Sequence, residues 1–226
     1  MSVSRKFFAQ SLLTFALGAG LMGCSPGVAD AATGQLPDPT ASTTLATAGE
    51  QVAVFAGGCF WGVEAVFEHL KGVKQVSSGY AGGSAATASY ALVGSGATGH
   101  AEAVRIVFDP AVVSYGQLLK VFFSVAHNPT QLNRQGPDRG SQYRSAIFAG
   151  DPEQARIARE YIAQLGAARV FDQPIVTQVT PLVRYFEAEA YHQDYARLNP
   201  NEPYIVFHDA PKVKALQRQF PTMYRP

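Results

Sequence analysis

After residue 50 the chain alternates short runs of β-branched and aromatic residues with segments whose apolar side chains recur at helical spacing. Residues 51–56, Gln-Val-Ala-Val-Phe-Ala, have the composition of a strand and end at the pair Gly57-Gly58. Beyond this pair, apolar side chains from Phe60 to Leu70 follow a helical period. The order strand, glycine turn, helix predicts a domain in which a sheet and helices pack as layers.

The same alternation continues along the rest of the chain. Ser114 has the residue type and place of an N-cap, and Asp151 followed by Pro152 indicates another helix start. We expect strands over 73–80, 102–108, 144–149 and 175–183, and helices over 115–125, 152–165, 187–198 and 212–220. The expected fold class is α/β, an α+β two-layer sandwich with a mixed sheet covered by helices and a ferredoxin-like core with extensions.

Residues 1–24 have the layout of a secretory leader. Arg5 and Lys6 supply positive charge ahead of a mostly apolar run from 7 to 21. The leader ends in Leu-Met-Gly-Cys24, which resembles a bacterial lipobox, where the cysteine becomes the lipidated first residue. We expect a lipid-anchored protein of the bacterial cell envelope that faces the periplasm. Cleavage near Ala31 is the alternative and would release a soluble periplasmic protein.

Residues 25–49 are rich in Ala, Thr, Ser, Pro and Gly and contain almost no large apolar side chains. Such a segment cannot repay the entropy that folding costs, so it is expected to be a flexible linker. Residues 50–226 then form one catalytic domain of ordinary size, expected to be a monomer.

Composition excludes several classes of function. The chain has 18 Lys and Arg against 17 Asp and Glu, a formal net charge of +1, so it lacks the positive field that gathers phosphates. Nucleic acid is therefore not an expected partner. The two cysteines are too few for a disulfide framework or a cysteine-based zinc site, and the five histidines lack the spacing of metal ligands. No metal site is expected.

Cys59 is the candidate nucleophile. It follows Gly58 where strand gives way to helix, so its sulfur should lie near the free amide groups of a helix N-terminus, which favour a thiolate. A free cysteine is more often an inert core residue, and Phe60 and Trp61 beside it could equally be core packing. The only tryptophan next to the only cysteine of the domain favours a site.

A longer pattern surrounds this cysteine. The run from Gly58 to Glu64 resembles the active-site signature Gly-Cys-Phe-Trp-Gly-x-Glu of the A-type peptide-methionine sulfoxide reductases. The likeness extends over nearly all of 51–210, through the segments 79–83, 98–104, 142–145 and 191–193. The resemblance implies thiol-dependent reduction of the S epimer of methionine sulfoxide, peptide-bound or free, and repair of oxidised proteins.

The resemblance also implies roles for two reacting groups. Cys59 matches the nucleophile, and Glu102 matches the acid that protonates the departing oxygen. The residue pattern agrees, because Glu102 stands at the end of an apolar strand face, where desolvation should raise its pKa. Without the family match, a strand-end carboxylate facing solvent is the alternative.

Five further positions match family residues that surround the substrate. Tyr90 and Tyr143 match the tyrosines whose hydroxyl groups bind the sulfoxide oxygen. Asp138 matches an aspartate that supports the pocket, and Phe60 and Trp61 match the apolar wall for the substrate methyl group. Packing tyrosines and a turn aspartate are the ordinary alternatives.

Three departures from the family pattern change the expectations. The residues Thr87-Ala88-Ser89 precede Tyr90 where Asn-Pro-Thr is common, which makes that loop less rigid, and Asn128 stands where aspartate is frequent. No cysteine follows Tyr191, whereas many members carry resolving thiols there. A sulfenic acid on Cys59 would therefore need an external thiol, either thioredoxin-like, glutaredoxin-like or glutathione, and no other cofactor.

Two other functions remain open at this point. A cysteine hydrolase would pair Cys59 with His192 and an aspartate or asparagine. A non-enzymatic module would bind oxidised or apolar peptides through Phe60 and Trp61. The first requires His192 to approach the sulfur, and the second requires no reactive thiol.

Overall fold

The computed structural model describes residues 35–40 and 49–226. Within these ranges the strands are β1 (Gln51–Gly57), β2 (Val73–Ala81), β3 (Ala101–Phe108), β4 (Arg134–Gln135), β5 (Asp138–Arg139), β6 (Ser145–Ala149), β7 (Gln178–Pro181) and β8 (Tyr185–Glu187). Strands β4 and β5 pair in a small separate hairpin. The other six form one sheet in the order β7-β6-β1-β3-β2-β8. This sheet is mixed, because β6 and β7 are parallel and its other neighbours are antiparallel.

Helices connect these strands. The α-helices are α1 (Phe60–Glu68), α2 (Tyr90–Val93), α3 (Tyr115–Val121), α4 (Pro152–Ala167), α5 (Tyr195–Leu198) and α6 (Ala210–Gln219). The π-helical segments Phe122–Ala126 and Ile205–Asp209 follow α3 and precede α6. The order β1-α1-β2-β3-α3-β6, with strands arranged β6-β1-β3-β2, is ferredoxin-like. The expectation of an α/β fold with a mixed sheet is therefore confirmed.

The two faces of the sheet differ in side-chain size. On one face Phe55 stands opposite Val104 and Ile147, and all three are fully buried in the main apolar core. Burying a side chain of this kind stabilises a fold by about 1.5–3 kcal/mol. The other face carries small side chains such as Ala103 and Ala146. The period of two along each strand produces this separation.

The turn from β1 to α1 depends on glycine. Gly58 has φ +94°, and a Cβ atom there would lie 2.5 Å from the side chain of Gln135. At Gly57 a Cβ atom would lie 3.0 Å from the ring of His127. A side chain at Gly58 would therefore be strained by both its backbone and its neighbour. These close approaches bring β4 and the loop before it against the start of α1.

Both predicted helix starts are present. The Ser114 hydroxyl accepts a hydrogen bond from the Gln117 backbone N–H, and the Gln117 side chain accepts one from the Ser114 N–H. Asp151 accepts a hydrogen bond from the Gln154 N–H, with Pro152 at the first helical position. These caps satisfy amide groups that the first turn leaves free, each contributing about 1 kcal/mol.

The prediction of one helix over 187–198 is wrong. This stretch holds the end of β8, a 3₁₀ turn (Ala190–His192) and the short α5. The Gln193 side chain accepts a hydrogen bond from the Ser78 N–H and donates one to the Ser78 carbonyl. Asp194 follows in the left-handed conformation, with φ 55°. The expected strand over 175–183 is also shorter, since β7 covers only four residues.

Residues 35–40 of the expected linker pack on the domain. Leu36 is 2% exposed and joins the main core. Asp38 forms an ion pair of 2.7 Å with Lys120 of α3, and the Tyr161 hydroxyl donates to the Pro37 carbonyl at 2.9 Å. The expected leader 1–24, with Cys24, lies outside the described residues. Within the two described ranges, no helix is long and apolar enough to cross a membrane.

Candidate active site

Cys59 occupies the N-cap position of α1. Its side chain is 7% exposed, and it lines a cavity of about 750 Å³. Burial raises the pKa of the Cys59 thiol well above its usual value, and the charges of Glu102 and Asp209 raise it further. The Trp61 backbone N–H and the Lys212 ammonium lower it by smaller amounts. Burial therefore outweighs the helix N-terminus, and the expectation of a favoured thiolate is wrong.

Glu102 is the second residue of β3, and its side chain reaches the start of the same helix. Its Oε2 accepts a hydrogen bond of 3.1 Å from the Phe60 N–H, the residue after Cys59, and its side chain is 2% exposed. Burial raises the pKa of Glu102 to about 8, although the Phe60 N–H lowers it, and the charges of Asp138 and Asp209 add to the rise. The carboxyl is therefore protonated at neutral pH, as the strand pattern predicts.

Aromatic rings surround the first turn of α1. Trp61 stacks on Tyr195, with ring centroids 3.8 Å apart and planes 12° from parallel. Its indole N–H donates to Nδ1 of His192 at 3.2 Å, and the His192 ring lies 5.0 Å from Phe60. Tyr204 meets Trp61 edge-on at 6.1 Å. The two expected wall residues are thus held by residues of the C-terminal segment.

Tyr90 starts α2, is 37% exposed, and its ring lies 4.3 Å from that of His192. Tyr143 ends the 3₁₀ turn that precedes β6. Burial raises the pKa of both hydroxyl groups, and the charges of Glu102 and Cys59 raise them further. Both hydroxyl groups are therefore neutral at ordinary pH and can donate hydrogen bonds.

Asp138 begins β5 and lines the same cavity as Cys59. The Tyr204 hydroxyl donates to its Oδ2. Burial raises the pKa of Asp138, whereas this hydrogen bond and the charge of Lys212 lower it. Asp138 thus links the β4–β5 hairpin to the C-terminal segment next to the sulfur.

Four residues at or next to the site were missed from the sequence. Glu189 accepts hydrogen bonds from the Tyr90 N–H at 3.0 Å and the Tyr80 hydroxyl at 2.8 Å, so it holds the start of α2. Asp209 is fully buried and pairs with Lys212 at 3.1 Å. Lys212 and Tyr204 are the other two residues.

Asp209 explains the glycine of the signature. A Cβ atom at Gly62 would lie 2.0 Å from Asp209 Oδ1 and 2.7 Å from Lys212 Nζ. Only a glycine lets this ion pair approach α1 one turn after Cys59. The glycine at position 62 of the signature was therefore the sequence signal that another part of the chain packs closely against α1.

Asn128 also has a definite place. Its Oδ1 accepts hydrogen bonds from the N–H and hydroxyl of Thr130. Its backbone N–H and carbonyl pair with the side chain of Gln135. Asn128 therefore orders the loop before β4.

Comparison with known proteins decides between the open functions. A family model described as peptide methionine sulfoxide reductase matches residues 51–223. The chain belongs to this family. Peptide methionine sulfoxide reductase MsrA 2 of Synechocystis sp. is 53% identical over 82% of this chain and 88% of its own length. MsrA 2 of Mesorhizobium japonicum is 56% identical over 79% of this chain and 92% of its own.

A solved structure shares the fold. Methionine sulfoxide reductase A of Corynebacterium diphtheriae superposes with a TM-score of 0.60 at 37% identity, covering 74% of this chain and 84% of that one. The chain is thus an A-type peptide methionine sulfoxide reductase, an oxidoreductase that reduces methionine sulfoxide with a thiol and repairs oxidised proteins.

The geometry of this reductase disfavours a hydrolase triad. His192 Nδ1 accepts the indole N–H of Trp61, and its ring is enclosed by aromatic rings. In the described part of the chain no hydrogen bond joins His192 to Cys59. Burial also lowers the pKa of His192. In the same ranges, no three His, Cys, Asp or Glu residues are grouped so that they could hold a metal ion.

Proposed function

We propose that Cys59 reduces the S epimer of methionine sulfoxide, with Glu102 as the proton donor. The observation that carries this proposal is the buried Glu102 carboxyl, which accepts the N–H of the residue that follows Cys59 and whose pKa burial raises. A buried neutral acid can donate a proton to an oxygen that becomes more basic as the sulfur is attacked.

The reaction balances on these two groups. The Cys59 sulfur attacks the sulfoxide sulfur, and the sulfoxide oxygen takes a proton from Glu102. The oxygen ends on Cys59 as a sulfenic acid, methionine leaves, and the thiol proton restores Glu102. Sulfoxide is reduced by two electrons and Cys59 is oxidised by two.

Phe60 and Trp61 are proposed to receive the terminal methyl group, while Tyr90 and Tyr143 donate hydrogen bonds to the oxygen. The ring contacts around Trp61 support a preformed wall. Two neutral phenols beside a protonated acid support stabilisation of the developing negative oxygen. Asp138 is proposed to support this pocket. Free and peptide-bound sulfoxide, including oxidised proteins, are proposed substrates.

An external thiol is proposed to complete the cycle. Cys59 is the only cysteine after residue 24, so the domain has no second thiol to condense with its sulfenic acid. A thioredoxin-like protein, a glutaredoxin-like protein or glutathione would supply two thiols per turnover and leave as a disulfide.

Single-turnover chemistry tests the proposal. Enzyme mixed with excess S-epimer and no thiol should release about one equivalent of methionine, and added dithiothreitol should restore many turnovers. Cys59→Ser, which keeps the site's shape, should release none, and the R epimer should give no burst. Many turnovers without a thiol would contradict the absence of a resolving group.

We also propose that Cys24 carries a lipid that anchors the enzyme at the bacterial cell envelope, facing the periplasm. The sequence Leu-Met-Gly-Cys at 21–24 after a charged, apolar leader supports this. Mass spectrometry of the mature N-terminus would find diacylglycerol on Cys24. A free N-terminus near Ala31 would instead establish a soluble periplasmic protein.

A further inference from the structure

The cavity of about 750 Å³ reaches Cys59 between the β4–β5 hairpin and α6. Its lining comes mainly from 124–138 and 204–218. Besides Cys59, Asp138 is the only residue assigned above to the reaction that lines it within the described part of the chain. The groups proposed to hold the substrate lie elsewhere around the sulfur: Phe60, Trp61, Tyr90, Glu102 and Tyr143.

Tyr204 stands between these two regions. It lines the cavity, its ring edge meets Trp61, and its hydroxyl donates to Asp138. The cavity therefore reaches Cys59 beside Asp138 and Tyr204, and the groups proposed to hold the substrate do not line it. A cavity lined by other residues is useful to an enzyme whose sulfur must react twice, first with a sulfoxide and then with a thiol.

Most of the charged residues that line the cavity are cations. Arg134, Lys212, Lys214 and Arg218 line it, against the single carboxyl group of Asp138. Lys212 is paired with the buried Asp209, but the other three form no ion pair with any described residue. The Nε–H of Arg134 is buried and has no hydrogen-bond partner there. Unpaired cations around a concave site favour an anionic ligand.

We propose that this cavity binds the reductant, and that the reductant is a small thiol bearing carboxylates. This rests on the proposed function, because it requires a sulfenic acid on Cys59. The incoming thiol sulfur attacks the Cys59 sulfur, its proton joins the hydroxyl, and water leaves as a mixed disulfide forms. A second thiol then attacks the incoming sulfur, which releases the disulfide and returns Cys59 as a thiol.

Size and access favour a small thiol over a folded protein. A volume of about 750 Å³ is within the range of small-molecule sites and suits a tripeptide. The Cys59 sulfur belongs to a side chain that is only 7% exposed, so the attacking thiol must enter the cavity. The carboxylates of such a thiol would remain at the entrance near Lys214 and Arg218, both exposed.

The test compares glutathione with its diethyl ester, which has the same thiol but no carboxylate. Sulfenic enzyme is prepared with limiting sulfoxide, and its reaction with each thiol is followed by the fluorescence of Trp61, the sole tryptophan. The ratio compared is the rate constant with glutathione divided by the rate constant with the diethyl ester. It should fall by about fivefold or more in the double variant Lys214→Gln/Arg218→Gln, since each exposed ion pair between a cation and a carboxylate changes the rate a few-fold. The wild-type ratio should also fall with added salt.

Arg159→Gln is the matched control, since Arg159 is an exposed helical arginine on α4 that does not line the cavity. Its ratio should equal that of the wild type. An unchanged ratio in the double variant, or an equal fall in the control, would overturn the proposal. A wild-type enzyme that releases no methionine before thiol is added would instead refute the proposed function.

Discussion

Replacing Glu102 with glutamine should separate its two effects, on catalysis and on stability. The folded protein holds the pKa of Glu102 at about 8, against 4.5 for a solvated side chain. Because the pKa is raised, the folded state favours the protonated carboxyl. Its contribution to stability is complete below pH 4.5 and is lost as the pH rises through 8. Glutamine resembles the protonated acid and does not titrate, so it should escape this loss.

The magnitude follows from linkage. Each unit of pKa difference is worth about 1.36 kcal/mol, so the wild type should lose roughly 4–5 kcal/mol of unfolding free energy from this group between pH 4.5 and 9. Glu102→Gln should lie within about 1 kcal/mol of the wild type at pH 5 and exceed it by several kcal/mol at pH 9. Other groups that titrate in this range, such as Glu64, are present in both proteins and cancel in the difference.

Urea unfolding of the two proteins at each pH unit from 5 to 9 measures this difference directly. In parallel, the rate of methionine release should fall by about 10²–10⁴ in the variant, because the proton donor is gone. A stability difference that stays constant with pH would show that Glu102 is not held protonated by burial. Glu102 would then also lack the proton that it is proposed to donate at neutral pH.

Three further substitutions test neighbouring contacts. Lys212→Met should shift the pH profile of Cys59 alkylation by iodoacetamide to higher pH, because the Lys212 charge lowers the pKa of that thiol. Glu189→Ala should raise the KM for sulfoxide several-fold with a smaller change in kcat, since it frees the Tyr90 N–H. Leu36→Ala should lower the free energy of unfolding by about 2 kcal/mol, as measured in urea, because it leaves a cavity in the core.

Matched controls make these outcomes decisive. Lys74→Met removes an exposed lysine outside the cavity and should leave the alkylation profile in place. Leu132→Ala truncates a leucine that is 62% exposed and should change stability by less than about 0.5 kcal/mol. An alkylation profile that Lys212→Met leaves unmoved, a KM insensitive to Glu189, or equal costs at the two leucines would contradict the contacts described.

Structure that depends on neighbours in sequence was predictable. Gly57 and Gly58 mark the turn into α1 by their own backbone freedom, and the Ser114 and Asp151 caps act within one helical turn. The strand pattern of β3 also placed Glu102 at the end of an apolar face, where it is buried. These signals need no knowledge of the rest of the fold.

Structure that depends on distant partners was not predictable. The apolar spacing of 187–198 fits a helix, but the side chain of Gln193 is bound to the backbone of Ser78, which lies 115 residues earlier. The helix N-terminus at Cys59 indicates a thiolate, yet the burial that reverses this preference comes from packing of the whole domain.

The same limit applies to the site. The family resemblance named Cys59, Glu102 and their partners, whereas Tyr204 and Asp209 reach the site only because the C-terminal segment folds back over α1. Nothing in their local sequence indicates this. Gly62 was the one residue whose type indicated that another segment packs closely against α1.

The docked segment 35–40 limits how far a lipid-anchored enzyme could work from its membrane. Residues 25–34 separate Cys24 from Gln35, whose side chain donates a hydrogen bond to the Gln219 carbonyl. Even fully stretched, ten residues span at most about 36 Å. An enzyme tethered at so short a distance would reduce oxidised proteins close to the lipid surface. Release of Leu36 from the core would lengthen the tether and increase the distance from the membrane at which the enzyme can act.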